Sequence, residues 1–281
     1  MKVHLVSVIG SDIKLLPHML RHYRQMGIDS FLISLNLGYP GDPMIEEARR
    51  FMDEFGCEIY NVHVGEWTNE VNTRLYAESR KNPDDWYILA DLDEFQEYPR
   101  DLFAIIEECE SKGYDYIEGC FIDRIAADGG FPEIIYDRPI EDQFPLGCTF
   151  TYRMLGGYPL KVVAAKGHVS ISVGNHNANT GVACPIDECF AQVHHYKWDK
   201  SVVNRMKQRA YNKELGSYMV SCRRFVDYVR ANNGRIDVSD PRLFVGKCKP
   251  QYEYWSFIKQ EVQAYPNRPG HISHKTVLNT L

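Results

Sequence analysis

The stretch Tyr87-Ile88-Leu89-Ala90-Asp91-Leu92-Asp93-Glu94-Phe95 decides the fold. With Trp86 before it, residues 86, 88 and 90 fall on one face of an extended chain and Tyr87 and Leu89 on the other. A run that is apolar on both faces marks a central strand covered from both sides, as in parallel sheets between helix layers. The run stops at Asp91 and Asp93. In open α/β sheets the ligand crevice lies outside the carboxyl ends of the strands. Two carboxylates there, one residue apart, offer the hard oxygen ligands that Mg2+ or Mn2+ prefers. Spacing alone says little, since 19 Asp in 281 residues give about one Asp-x-Asp pair by chance. Position carries the reading: three carboxylates at the end of an apolar strand repel one another unless a cation sits among them. The plain alternative is that Asp91 or Asp93 caps the following turn, with Glu94 left to the surface or to support of the pair.

Outward from this strand, the first 120 residues alternate strand and helix. Val3–Ile9 is a short β-branched run. Ile13, Leu16, Met19, Leu20, Tyr23 and Met26 then recur at helical spacing up to Gly27. Strands follow over 30–37, 58–64, 85–91 and 114–122. Helices are expected from Pro43 to Gly56, over 69–81 and over 102–112. This is a βαβ series, hence an α/β fold with a parallel or mixed sheet between helices. Beyond residue 125 Gly and Pro punctuate the chain, and short strands are expected over 148–154, 161–165, 168–173 and 190–195. Helices over 200–213 and 217–232 follow, and the polar tail from Tyr265 reads as loosely held. Residues 1–198 are read as the core, and 199–281 as C-terminal helices and a tail packed on the same domain.

Composition excludes several classes. Hydrophobic residues make up 44%, charged residues 25% and the net charge is −6, which is globular and not the basic excess of a nucleic-acid binder. The eight Cys are scattered without a CxxC pair, so they read as reduced thiols of a cytoplasmic protein. The first apolar run is too short for a signal peptide, and no run reaches the roughly 20 residues of a membrane span, which leaves only peripheral membrane contact. Neither GxxxxGK[ST] nor GxGxxG occurs, against P-loop enzymes and dinucleotide dehydrogenases.

Other residues could carry chemistry. His176 sits in the polar turn Gly174-Asn175-His176-Asn177, where a metal ligand is readily presented. His194 and His195 end a strand and face opposite ways, so only one of them can serve a given site. Asp123, Asp128, Glu141 and Asp142 are candidates for acid–base work, against the plainer reading of turn-forming acids. Most of the late basic residues, Arg205 to Arg230, read as solvated helix faces. One or two of them, with Lys161, Lys166 or Lys197, could neutralise a diphosphate.

The block Ala90-Asp91-Leu92-Asp93-Glu94-Phe95 resembles the D-x-D-E-F signature of family 2-like glycosyltransferases with a GT-A fold. Residues 15–23 with Gly27-Ile28-Asp29 resemble that group's first βα unit. Lys161-Val162-Val163, Gly174-Asn175-His176 and His194-His195-Tyr196-Lys197-Trp198 resemble its later blocks. The likeness covers about residues 3–230. It implies a GT-A-like Rossmann-type mixed sheet flanked by helices and a nucleotide-sugar site of a hexosyltransferase type. The donor would be a UDP-sugar and the acceptor a hydroxyl of a glycan or similar molecule. Asp91, Asp93 and His176 would hold Mn2+ or Mg2+, with Asn36, Arg74, Asp91 and Lys161 binding the donor. Asp142, and next Asp123, would take the acceptor proton. Asn36 stands where the family often has an Asp that holds the nucleoside. The rivals are a haloacid-dehalogenase-like phosphohydrolase, disfavoured by Phe95 and the lack of a later Gly-Asp-x-x-x-Asp, and an inactive nucleotide- or glycan-binding protein.

Overall fold

The computed structural model describes residues 1–10 and 12–247. Cys248 and the tail from Tyr265 lie outside the described residues. The first half runs β1 (Val3–Ile9), α1 (Leu16–Gln25), β2 (Ser30–Leu37), α2 (Met44–Glu54), β3 (Ile59–Val64), α3 (Asn69–Ser79), β4 (Trp86–Leu89), β5 (Glu94–Glu97) and α4 (Leu102–Lys112). The second runs β6 (Tyr116–Ile125), α5 (Ile140–Gln143), β7 (Leu146–Cys148), α6 (Phe150–Arg153), β8 (Leu160–Lys166), β9 (Ala191–His195), α7 (Val202–Arg209), α8 (Ser217–Ala231) and β10 (Gly246–Lys247).

The main sheet has the order β10-β7-β6-β8-β4-β1-β2-β3. β3, β2, β1 and β4 are mutually parallel. β8 then pairs antiparallel with both β4 and β6, so the next strand in sequence does not lie beside β4. β9 runs parallel to β6 and antiparallel to β5. This mixed, helix-flanked α/β sheet is consistent with the GT-A-like fold expected.

Every residue of β4 is buried, and its two faces enter different cores as the alternation requires. Trp86, Ile88 and Ala90 pack with the helical layer of Leu16, Met19, Leu20 and Ile106, while Tyr87 and Leu89 pack with Leu75, Tyr76 and Val162. A third cluster joins α7 and α8 to the sheet through Ile125, Phe150, Trp198, Met206 and Phe225. Phe225 stacks on Trp198 at 5.4 Å and meets Phe150 edge-on at 6.2 Å.

Four local expectations are corrected. The strand expected over 148–154 ends at Cys148, and the chain turns into α6 because the Asp123 carboxylate accepts the Thr151 amide and hydroxyl at 2.6 Å each. No strand forms over 168–173; that segment makes one isolated bridge, Ile171 to Ala178, before a turn with Gly174 and Asn175 both at positive φ. The helix expected over 200–213 is shorter, starting where Asp199 accepts the Val202 amide at 3.1 Å and ending at Arg209. Glu94, expected at the surface or in support of the pair, is 2% exposed and takes the supporting place, accepting the Asp91 amide at 3.2 Å, while it begins β5, a strand not expected from the sequence. The Cys residues among the described ones are buried. No helix among the described residues is long and apolar enough to cross a membrane.

Replacing Phe225 by Ala empties the middle of the third cluster. The expected cost is about 3–5 kcal/mol in urea unfolding with the transition slope unchanged. A loss below about 1 kcal/mol would mean that α8 is not part of this core.

Candidate active site

The carboxyl ends of β1, β2, β3 and β4 lie along one edge of the sheet, and the Asp pair sits at the end of β4. Asp91 receives the Tyr76 hydroxyl on Oδ1 at 2.9 Å. Its Oδ2 faces the Lys161 ammonium of β8 at 3.2 Å. Lys161 also meets Glu94 Oε1 at 2.8 Å and donates to the Gly174 carbonyl at 2.6 Å. Its side chain is only 2% exposed, so three acceptors replace its hydration shell. Burial disfavours the charged ammonium, yet Asp91 and Glu94 hold its pKa well above the usual lysine value. For Glu94, burial and the neighbouring Asp91 and Asp93 push upward while Lys161 holds it down.

Asp93 faces the other way along the chain. Its Oδ2 lies 3.5 Å from His195 Nε2, and the second ring nitrogen of His195 lies 3.2 Å from Asp123 Oδ1. Burial works against charge on the imidazole, but the two carboxylates push its pKa up to about 9. His195 is therefore an imidazolium at neutral pH, with both N–H groups donating, and it stacks on Phe121 at 4.6 Å. Burial would raise Asp93, but the charge and hydrogen bond of His195 hold it well below the usual carboxylate range. Asp123, 1% exposed, also accepts the Trp198 indole at 2.9 Å in addition to the two Thr151 donors. His194 points to the opposite face, where it accepts from Arg124 at 2.9 Å and lies 3.1 Å from Gln192 Oε1.

His176 sits behind the same turn that supplies the Gly174 carbonyl. Its Nδ1 donates to the Leu160 carbonyl at 2.7 Å, which leaves Nε2 with its lone pair. Burial and Lys161 lower its pKa to about 4, so the ring is neutral. Metal-bound histidines characteristically fix their second nitrogen on a carbonyl in this way. Asp91 and Asp93 retain 36% and 29% side-chain exposure. In type, two accessible carboxylates and a neutral imidazole fit a hard divalent cation. Among the described residues no three such side chains are already gathered around one point.

A second corner of the same edge holds Asn36 and Arg74. Asn36, 2% exposed on β2, donates from Nδ2 to the Gly65 carbonyl at 2.9 Å, and its Oδ1 has no partner. It lies in register with His63 of β3. Arg74 on α3 reaches His63 at 3.3 Å and Glu78 at 2.8 Å and is exposed. A Cβ on Gly10, just after β1, would fall 1.8 Å from the Trp67 ring, so the indole lies directly on the Gly10 backbone at this edge.

Of the residues singled out from sequence, the structure brings Asp91, Lys161, Asp93 and Asp123 into one network, with His176 adjoining it. Asn36 and Arg74 make no contact with that network. Asp142 lies exposed on α5, where its backbone carbonyl accepts from Arg138 and its carboxylate has no hydrogen-bond partner among the described residues. Tyr76, and Glu94 and His195 in the roles described, were missed. Glu94-Phe95-Gln96-Glu97 has one apolar residue among three polar ones and so carries no two-residue period, yet a short strand here pairs Glu94 with His195 and Phe95 with His194.

No family model matches the chain, and no curated protein does. Among solved structures, Staphylococcus aureus TarS aligns at 10% identity and TM-score 0.35, covering 86% of this chain and 46% of that one. TarS 1–349 in complex with UDP-GlcNAc aligns at 8% identity and TM-score 0.36, covering 82% of this chain and 73% of that one. The chain thus spans less than half of the longer TarS chain. At TM-scores this low the likeness does not bear on the fold or the chemistry.

Replacing Lys161 by Met leaves Asp91 and Glu94 without their buried counter-cation. The expected loss of stability at pH 8 is about 3–5 kcal/mol. Glu94 has its folded-state pKa raised to about 8 even beside Lys161, so in the wild type too its protonation favours the folded state and that support disappears as pH rises. Without Lys161 the same pKa lies higher still, so the loss is level from about pH 5 to about pH 8 and grows above that. Urea unfolding across pH checks this, and a loss that grows on acidification would contradict the pairing.

Proposed function

We propose that this protein is a metal-dependent glycosyltransferase moving a sugar, of the hexosyl type, from a nucleotide-sugar donor to a hydroxyl of a glycan or similar acceptor. The observation that carries the reading is the Asp91–Asp93 pair, accessible at the carboxyl end of a doubly covered central strand and fixed by buried cations. On this reading Asp91, Asp93 and His176 hold Mn2+ or Mg2+. When bound, the metal supplies Lewis-acid neutralisation of charge developing on the departing nucleotide diphosphate. The chain's own residues do the rest. Lys161 fixes the orientation of Asp91 and joins the 173–175 turn, next to His176, to β8. His195 fixes Asp93. Asn36 Oδ1, buried and without a partner, is an acceptor for a base N–H, and the choice of a UDP-sugar rests on the resemblance of the sequence blocks.

For an inverting reaction a carboxylate must accept the proton of the acceptor hydroxyl. Asp142 is assigned that role. Its carboxylate has no hydrogen-bond partner among the described residues, and α5 leads into Phe144, which packs on Tyr196 at 5.9 Å, whose amide donates to the Asp93 carbonyl at 2.8 Å. Asp123 was the second candidate. Its oxygens are filled by four donors, so it suits the orientation of His195 better than proton exchange with a substrate.

Calorimetric titration with UDP, GDP and CMP, each with and without Mn2+, tests the reading. UDP is expected to bind only with Mn2+, and Asp93→Ala to lose that binding while the circular dichroism stays native. Failure of all three nucleotides to bind would sink the transferase assignment. Asp142→Asn is expected to leave UDP affinity within about twofold and to lower kcat by about 10^2–10^4. Full turnover in that variant would move the base elsewhere.

A further inference from the structure

Beyond the carboxylates, the segment after β9 carries a second constellation. Lys197 lies two residues past His195, and the intervening Tyr196 is tied to Asp93 through its backbone. The Lys197 ammonium is 3.2 Å from the Tyr218 hydroxyl, and the Arg209 guanidinium reaches the same oxygen at 3.2 Å. Both cations lie against the Tyr218 ring, at 5.2 Å and 5.7 Å from its centroid. All three side chains are half-buried. Neighbouring Arg205 differs, since it has a carboxylate partner, Asp199, at 3.4 Å. No carboxylate of the described residues lies within ion-pair distance of Lys197 or Arg209. Two half-buried cations thus share one neutral oxygen, and the hydroxyl proton has only the weak Met206 sulfur to go to, at 3.9 Å.

Desolvated cations without an anion are costly, and a phenol oxygen satisfies only a fraction of the N–H donors of an ammonium and a guanidinium. An oxyanion placed against them would accept charge-assisted hydrogen bonds from an ammonium, a guanidinium fork and a phenol O–H at once. We propose that Lys197, Arg209 and Tyr218 form an oxyanion site of the phosphate class beside the Asp93 carboxylate. Tyr218 is its hub. It holds the two cations apart at hydrogen-bond distance from one point, and its own proton is available to the guest. Burial would raise the Tyr218 pKa, but Lys197 and Arg209 outweigh it and keep the phenol below its usual value, as expected for a strong donor to an anion. The site rests on the functional reading only for the source of the phosphate, which is either the diphosphate of the donor or an anionic group on the acceptor.

The test uses the full chain labelled with 13Cζ-tyrosine, with the Tyr218 resonance assigned through Tyr218→Phe. Inorganic phosphate and pyrophosphate are titrated in without metal or nucleotide. The Tyr218 resonance is expected to shift and saturate, and the affinity to fall at least about tenfold in Arg209→Gln, the effect of one charge-assisted contact. Tyr218→Phe, which keeps both cations and removes only the oxygen, is expected to weaken pyrophosphate binding by calorimetry as well. A resonance that does not move, or equal affinity in wild type and Arg209→Gln, overturns the site. UDP and uridine then separate the sources. A preference for UDP over uridine that collapses in Arg209→Gln assigns the group to the donor. Phosphate binding lost with UDP binding intact assigns it to the acceptor. Because phosphate alone is the first probe, failure of nucleotide binding would overturn the transferase reading and leave this site standing.

Discussion

One buried ammonium holds the site together. Lys161 reaches Asp91 at the end of β4, Glu94 at the start of β5 and the carbonyl of Gly174, all from the middle of the sheet on β8. Three segments of the chain, 91–94, β8 and the 173–175 turn, meet at one nitrogen. A lysine this buried is unfavourable alone, and so are two carboxylates on the end of an apolar strand; each removes the other's desolvation penalty only if the geometry is right. The 173–175 turn follows from this, because Gly174 at positive φ presents its carbonyl to the ammonium and so fixes the approach of the neighbouring His176. The antiparallel insertion of β8 beside β4 is what brings Lys161 there.

The second fixed point, the His195 imidazolium, works on the same principle one strand over. It spans Asp93, which keeps exposure, and Asp123, which has none to speak of. Asp123 in turn anchors Thr151 and Trp198, and so connects the site to the cluster under α7 and α8. Asp93 is therefore positioned through a chain of contacts that runs into a hydrophobic core, whereas Asp91 is positioned through Lys161.

The sheet was legible in the sequence where one periodicity spoke alone. β1, β2 and β4 are apolar runs bounded by turn residues, and the double-faced burial of β4 follows directly from Trp86-Tyr87-Ile88-Leu89. The Asp pair was legible for the same reason. The partners of that pair were not. Lys161 lies in a strand whose neighbours are set by long-range pairing, and nothing local says that β8 runs antiparallel between β4 and β6. His195 was one of two adjacent histidines, and only the register of β9 against β5 decides which faces Asp93. The strand that carries Glu94 was not legible because the four residues Glu94 to Glu97 hold a single apolar side chain and follow directly on the acids at 91 and 93. The strand expected over 148–154 failed because an acid 28 residues away caps a helical turn there, which no local pattern reveals.

Asp91, Asp93 and Asp123 face only Lys161 and His195 in direct contact, and burial pushes the Glu94 pKa up to about 8, so at neutral pH the ionised carboxylates exceed the cations by one. Farther along the same backbone, Lys197 and Arg209 are two cations with no carboxylate of the described residues at ion-pair distance. An excess of negative charge beside an excess of positive charge, not joined by direct ion pairs, is an unfavourable arrangement for an empty site and a favourable one for a guest that carries both signs. A divalent cation against the carboxylates and a diphosphate or phosphate against Lys197 and Arg209 would complete an alternating order in which each layer is neutralised by the next. The two guests then assist each other's binding. A metal ion alone brings positive charge toward Lys161, His195 and Lys197, and an oxyanion alone brings negative charge toward Asp93. Each lowers the cost of the other by the interaction between them, which is a coupling free energy and acts equally in both directions. In this view the fixed cations Lys161 and His195 hold the acidic residues in place without neutralising them completely, and the residual imbalance is what the substrate supplies.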